Sequence, residues 1–128
     1  MSSLARLPLL LSLYLDDNQV SVLRPLASAP RIQTLVLNGN HVSDLSALSG
    51  LKTLRVLQLG RNEISDVGPL SGLTGLRELS LARNQISDIS SLASIGTLEV
   101  LNLTRNPLSE EAKQRDIPIL EAAGVLVS

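Results

Sequence analysis

The chain has 128 residues, enough for one domain, and 44 % of them are hydrophobic but only 1 % aromatic, with Tyr14 the single case. A net charge of −1 and a pI near 5.7 argue against a nucleic-acid binder or a polybasic membrane binder. The absence of Cys excludes a disulfide framework and a thiolate nucleophile or metal site, and no apolar run reaches the roughly 18–20 residues needed to span a bilayer.

The first segment, Met1 to Leu15, carries one Arg followed by LPLLLSLYL. That composition imitates a secretory leader, and Ala27-Ser28-Ala29 imitates a cleavage site. The phase of the leucines argues against one. Leu10, Leu13 and Leu15 occupy the slots later held by Ile32, Leu35 and Leu37, and Asn18 comes next in register. The expectation is therefore a retained N-terminus and a cytoplasmic protein rather than a secreted one. Residues 1–9 read as a partial unit acting as an N-terminal cap, with Leu4 and Leu7 in the slots of Leu48 and Leu51.

Residues 10–108 are repeats. Asn18, Asn40, Asn62, Asn84 and Asn106 lie 22 residues apart, closing the phrases LLSLYLDDN, IQTLVLNGN, LRVLQLGRN, LRELSLARN and LEVLNLTRN. One unit reads L-x-x-L-x-L-x-x-N-x-[VI]-S-D-[LVI]-x-x-L-x-x-L-x-x, as in Leu54 to Gly75. Within L-x-L the period is two, which predicts a short strand with one face inward. Strands recurring at a fixed period stack in parallel. A solenoid of this kind needs no Phe or Trp, because identical slots recur and one branched aliphatic fills each. The Asn after each strand meets a hydrogen-bond demand. Turn amides lose their ladder partners, an unpaired buried polar group costs about 1–3 kcal/mol, and a carboxamide both donates and accepts. The pairs Ser43-Asp44, Ser65-Asp66 and Ser87-Asp88 predict caps for short 3₁₀ turns on the opposite side. They do not predict Ca²⁺, which needs six to eight converging oxygens.

Residues 109–128 read as a C-terminal helical cap and a last strand. Ser109 caps a helix whose first turn holds Glu110 and Glu111. Pro118 is expected to break or restart it near Asp116, and Gly124 to stop it before a strand within Val125 to Val127.

The unit resembles leucine-rich repeats of the 22-residue class, as in internalins and the leucine-rich regulatory subunit of type-1 protein phosphatase, and the tail resembles a bacterial-type C-terminal cap. The resemblance implies an α/β solenoid: a right-handed leucine-rich repeat coil, with a parallel concave sheet of about five to six short strands and a 3₁₀ or irregular convex side. It implies one domain over 1–128 and a non-catalytic protein-interaction platform.

On such a coil the outward strand residues carry function. The column between the strand leucines holds Tyr14, Val36, Gln58, Ser80 and Asn102, and the next position includes Asp16 and Asn38. Arg61, Arg83 and Arg105 form a further column with Arg55 and Arg77 on the same face, while Asp16 and Asp17 mark the other end. These thirteen residues are the candidate partner-binding set. The basic column suits an acidic patch on a protein or peptide partner, against the plainer reading of solvated surface charge. The alternative is a structural or self-assembling unit, forming a homodimer through the Leu-rich N-terminal edge. No catalytic site is expected. His41, Ser43 and Asp44 are near neighbours already explained by capping, and no Gly-rich loop joins a strand to a helix. No cofactor, metal, nucleic acid or membrane is expected as a partner.

Overall fold

A computed structural model describes residues 9–128, so the expected cap at residues 1–9 lies outside the described residues except for Leu9. Six short strands form one parallel sheet in sequence order: β1 (Ser12–Tyr14), β2 (Thr34–Val36), β3 (Val56–Gln58), β4 (Glu78–Ser80), β5 (Val100–Asn102) and β6 (Leu126–Val127). Leu13 lies opposite Leu35, Leu35 opposite Leu57, Leu57 opposite Leu79, and Leu79 opposite Leu101. The repeat period therefore becomes a register of one coil per strand. The last step pairs Val100 with Leu126, an offset of 126 − 100 = 26 residues, and the longer connection contains the terminal helix.

The leucine slots form one continuous core. Leu35, Leu57 and Leu101 from the strands, Ile64 and Ile86 from the turns, and Leu48, Leu70 and Leu92 from the back segments are all fully buried. Fully burying each such side chain contributes about 1.5–3 kcal/mol before conformational entropy is subtracted.

The asparagines bind consecutive coils together. The Asn62 Nδ2 group donates to the carbonyls of Leu59 (3.0 Å) and Gly60 (3.1 Å) in its own loop and of Leu37 (2.9 Å) in the preceding coil. Its Oδ1 accepts from Val42 N–H at 2.9 Å. Asn40 and Asn84 repeat all of these contacts, and Asn106 repeats those to the preceding coil and to the carbonyl three residues back, Leu103. Asn18 is exposed and, among the described residues, bonds only its own loop, at Leu15 and Asp16. A second, sparser ladder has no counterpart in the sequence analysis. The Thr53 hydroxyl contacts the carbonyls of Pro30 and Ile32, and Thr97 those of Thr74 and Leu76.

The convex side is made of 3₁₀ turns at Arg24–Ser28, Ser46–Leu48, Gly68–Gly72 and Ser90–Ser94. Asp44, Asp66 and Asp88 accept the N–H two residues on, from Ser46, Gly68 and Ser90, each at 2.9 Å. The aspartates do this alone. Ser43, Ser65 and Ser87 are exposed, and among the described residues their hydroxyls make no hydrogen bond. The first turn has Val22 in the Asp slot and relies on Pro25, whose fixed φ suits a first helical position.

The N–H of Ser46, then its hydroxyl, hold the Asp44 carboxyl below its usual range. Ser90 does the same for Asp88, with a further contribution from the Arg115 charge. A carboxyl lowered on folding contributes stability that is present above its unfolded pKa and lost as pH falls through the folded value. The double variant Asp44→Ala/Asp88→Ala is thus expected to melt below the parent at pH 6. The gap should narrow as pH falls below the ordinary carboxyl value of 3.8, read by circular dichroism. A gap unchanged at low pH would remove the carboxylates as the cause.

In the C-terminal cap the helix restarts near Asp116 without a break. Ser109 Oγ accepts the Ala112 N–H at 3.1 Å, as a cap should. The chain then stays helical from 110 to 122, passing through a wide π-type stretch at Ala112–Asp116 into α1 (Ile117–Ala122). Pro118 therefore changes the helix without breaking it. A proline lacks the N–H and its ring presses on the carbonyl four residues back, here Gln114. The widened turn lies over that residue and accommodates the ring. Gly124 adopts φ +95° after the helix, Val125 returns to the core, and β6 closes the sheet.

Candidate functional site

Alternation puts Leu57, Leu79 and Leu101 inward, and the residues on either side of them outward onto the strand face. Of the column predicted from the sequence, Tyr14 is 67 % exposed, while Gln58, Ser80 and Asn102 are half-buried. Val36 is only 6 % exposed and offers a partner little surface. A neighbouring outward column holds Thr34, Val56, Glu78 and Val100, with Glu78 and Val100 exposed.

Beyond the strands the chain turns, and one position per coil takes a left-handed conformation: Asp17 (φ 54°), Gly39 (φ 72°), Arg61 (φ 53°), Arg83 (φ 57°) and Arg105 (φ 61°). This strained slot precedes each ladder asparagine, and Gly39 was its one sequence signal. A side chain at Gly39 would collide with the Asp17 carboxylate and crowd the Arg61 guanidinium. Over that gap Arg61 Nη2 reaches Asp17 Oδ1 at 3.1 Å, linking residues 44 positions apart. Arg61 is therefore partly neutralised. Arg83 and Arg105 are exposed and make no ion pair among the described residues.

Several predicted site residues are tied into the scaffold. Asp16 Oδ1 accepts from Asn38 N–H at 2.8 Å. Asn38 Oδ1 accepts from Gly60 N–H at 2.7 Å, and its Nδ2 donates to Gln58 Oε1 at 2.9 Å. Arg77 pairs with Glu99 at 3.6 Å. At the opposite rim, where the strands begin, Lys52, Arg55 and Arg77 line a shallow hollow of about 280 Å³ with Gln33. Lys52 was absent from the predicted set, because it lies two positions before the leucine that opens its unit, in a slot that varies from coil to coil.

His41 Nδ1 lies 3.0 Å from Glu63 Oε2 on the exposed surface. Ser43 and Asp44, the other members of a conceivable triad, have no bond to it. Among the described residues no cluster of His, Asp and Glu has metal-ligand geometry, and no helix is long and apolar enough to cross a membrane.

A family model described as leucine-rich repeats, in two copies, matches residues 52–94 and 74–117. No curated protein matches the chain. Among solved structures, an internalin (inlF) from Listeria monocytogenes shares 34 % identity at a TM-score of 0.84, over 94 % of this chain and 34 % of that one. A leucine-rich repeat protein from Leptospira interrogans shares 28 % identity at a TM-score of 0.81, over 91 % of this chain and 30 % of its own. Internalin C2 (inlC2) from Listeria monocytogenes shares 30 % identity at a TM-score of 0.67, over 91 % of this chain and 59 % of its own. The chain thus spans about a third of the first two and under two thirds of the third.

Proposed function

This chain belongs to the leucine-rich repeat family, whose members generally act as protein-interaction scaffolds, and we propose that its strand face binds a protein or peptide partner through an acidic patch. The observation that carries this reading is the pair Arg83 and Arg105. Both are exposed, both stand on a strained backbone slot, and neither forms an ion pair among the described residues, in a chain of net charge −1. A rim of uncompensated cations on a near-neutral protein orients an acidic partner and speeds its encounter. The role is binding and not catalysis.

The test is charge reversal. The double variant Arg83→Glu/Arg105→Glu leaves the Arg61–Asp17 pair intact. It is expected to lose at least about tenfold in capture of its partner from source lysate, with an unchanged melting curve. Equal capture by the variant and the parent would remove this rim from the site.

A second reading is favoured by one observation. Leu9, Leu11, Tyr14 and Val22 are all more than half exposed, and all lie at the N-terminal end of the coil. That edge suits pairing with a second copy. Light scattering on dilution separates the two readings, and a monomer at low micromolar concentration sinks self-assembly.

A further inference from the structure

We propose that the strand face is a surface of hydrogen-bond donors between two cationic rims, and that it takes an extended peptide with carboxylates toward both ends. The proposal rests on the platform reading above and specifies the partner's chemistry.

The centre comes first. Gln58 has its Oε1 occupied by Asn38 Nδ2 at 2.9 Å, which leaves its Nε2 protons to offer. Asn102 has its Oδ1 occupied by the Thr104 N–H at 3.0 Å and by the Thr104 hydroxyl at 2.6 Å, which leaves its Nδ2. Ser80 lies between them with a hydroxyl that makes no hydrogen bond among the described residues. The amides on either side of Ser80 have thus spent their acceptors inside the protein and kept their donors. Such a strip matches carbonyl and carboxylate oxygens.

The rims repeat that chemistry with charge. Where the strands end stand Arg83 and Arg105. Where they begin stand Lys52, Arg55 and Arg77 around the hollow of about 280 Å³. Arg55 has no acidic partner among the described residues. Lys52 Nζ spends one contact on the Gly72 carbonyl at 3.1 Å and retains donors. Arg77 shares its charge with Glu99. The nearby hydroxyls of Thr53 and Thr97 are committed to backbone carbonyls, so the charged groups dominate the hollow.

The two rims are joined strand by strand. Arg77 precedes β4 and Arg83 follows it, with Ser80 between. Six residues at about 3.3 Å each set a separation of at most roughly 20 Å, the length of about six residues of extended peptide. A compact anion reaches one rim only. A ligand with its charges clustered also engages one rim, so the bracketed arrangement selects for separated carboxylates. The acids on this face include Asp16 and Asp17 at its N-terminal end, where Asp17 is paired with Arg61, and Glu78 nearer its centre. Glu78 is exposed between Val56 and Val100, with no cationic partner among the described residues, and it opposes an acidic ligand.

The experiment uses the full chain and three fluorescein-labelled peptides, read by anisotropy at low and physiological salt. One carries two glutamates at each end of a six-residue Gly-Ser spacer. The second has the four glutamates together at one end, and the third has Gln throughout. The bracketed peptide is expected to bind about fivefold or more tightly than the clustered one, and the Gln peptide not measurably. Arg55→Glu/Arg77→Glu and Arg83→Glu/Arg105→Glu should each weaken it by about tenfold or more, while Glu78→Gln should strengthen it by about two- to threefold. Melting curves confirm that each variant is folded.

Equal binding of the bracketed and clustered peptides would overturn the proposal in favour of a simple charged patch, as would loss of binding at one rim only. Failure of the bracketed peptide to bind overturns it as well. The platform reading is decided separately by Ser80→Trp, which obstructs the face. Loss of partner capture in that variant, with no binding of the acidic peptides, would leave a platform for a different chemistry. Unchanged capture would bring down both.

Discussion

Replacing Asn62 with Ala is expected to destabilise the protein by about 2–4 kcal/mol. The size of the effect depends on which groups lose their only partner. Val42 N–H, buried in the preceding coil, donates to Asn62 Oδ1 at 2.9 Å and to nothing else. The Leu37 and Leu59 carbonyls lose one of two donors each, keeping Asn40 and Asn84 respectively, and Gly60 keeps the Gly39 N–H. One orphaned donor and three weakened acceptors are a large fraction of a typical domain's stability. Asn18→Ala should cost under about 1 kcal/mol, because that side chain is exposed and, among the described residues, bonds only its own loop.

Asn62→Asp sharpens the test. The carboxylate still accepts from Val42, but an oxygen replaces the nitrogen that faces three carbonyls at 2.9–3.1 Å. Only the protonated acid can donate there, so the folded-state pKa rises above the unfolded value. A raised carboxyl pKa imposes a penalty above the folded value that vanishes below the unfolded one, near 3.9. The variant should therefore sit well below the parent at pH 7 and approach it near pH 4, by urea titration at each pH. A pH-independent gap would show that the carboxamide is not what joins the coils.

The second large effect is expected at the C-terminal cap. Leu120 is 3 % exposed and docks α1 on the last coil, with Ala112 and Val125 buried beside it. Leu120→Asp puts an unpaired charge in that seam and should cost about 3–5 kcal/mol. Stability in a coil of repeats is carried by nearest neighbours. The damage should therefore start locally, with β6 leaving β5 and exposing Leu101 and Leu103. Hydrogen exchange would show it first at the amides of Leu126 and Ser128, which donate to Glu99 and Leu101. Leu126→Asp is the control: that side chain is 72 % exposed, and the change should be close to neutral. If both variants behave alike, the helix does not seal the end.

How much was legible beforehand varies with the range of the interaction. The 22-residue period predicted the parallel stack, the buried leucines and the register of Leu13, Leu35, Leu57, Leu79 and Leu101. The chemistry of a carboxamide predicted the contacts of Asn40, Asn62 and Asn84, and Ser109 and Gly124 marked the limits of the cap helix. The Ser–Asp motif was half legible, because Ser and Asp are both good caps in general while the turn here presents its N–H groups only to Asp. Pro118 marked the place near Asp116 where the helix restarts as α1, but the wider turn that lets the chain stay helical through it left no sequence signal.

The sequence by itself determined the coil, because every slot recurs and each element's fate depends on its own residues and the copy next door. The structure alone decided which candidate surface is available. Arg61 reaches Asp17 across two coils through the space left by Gly39, Val36 sinks to 6 % exposure, and Lys52 joins Arg55 and Arg77 at one hollow. These outcomes depend on where long side chains land once the coils are stacked, and a charge's partner 44 residues away leaves no periodic trace in the chain.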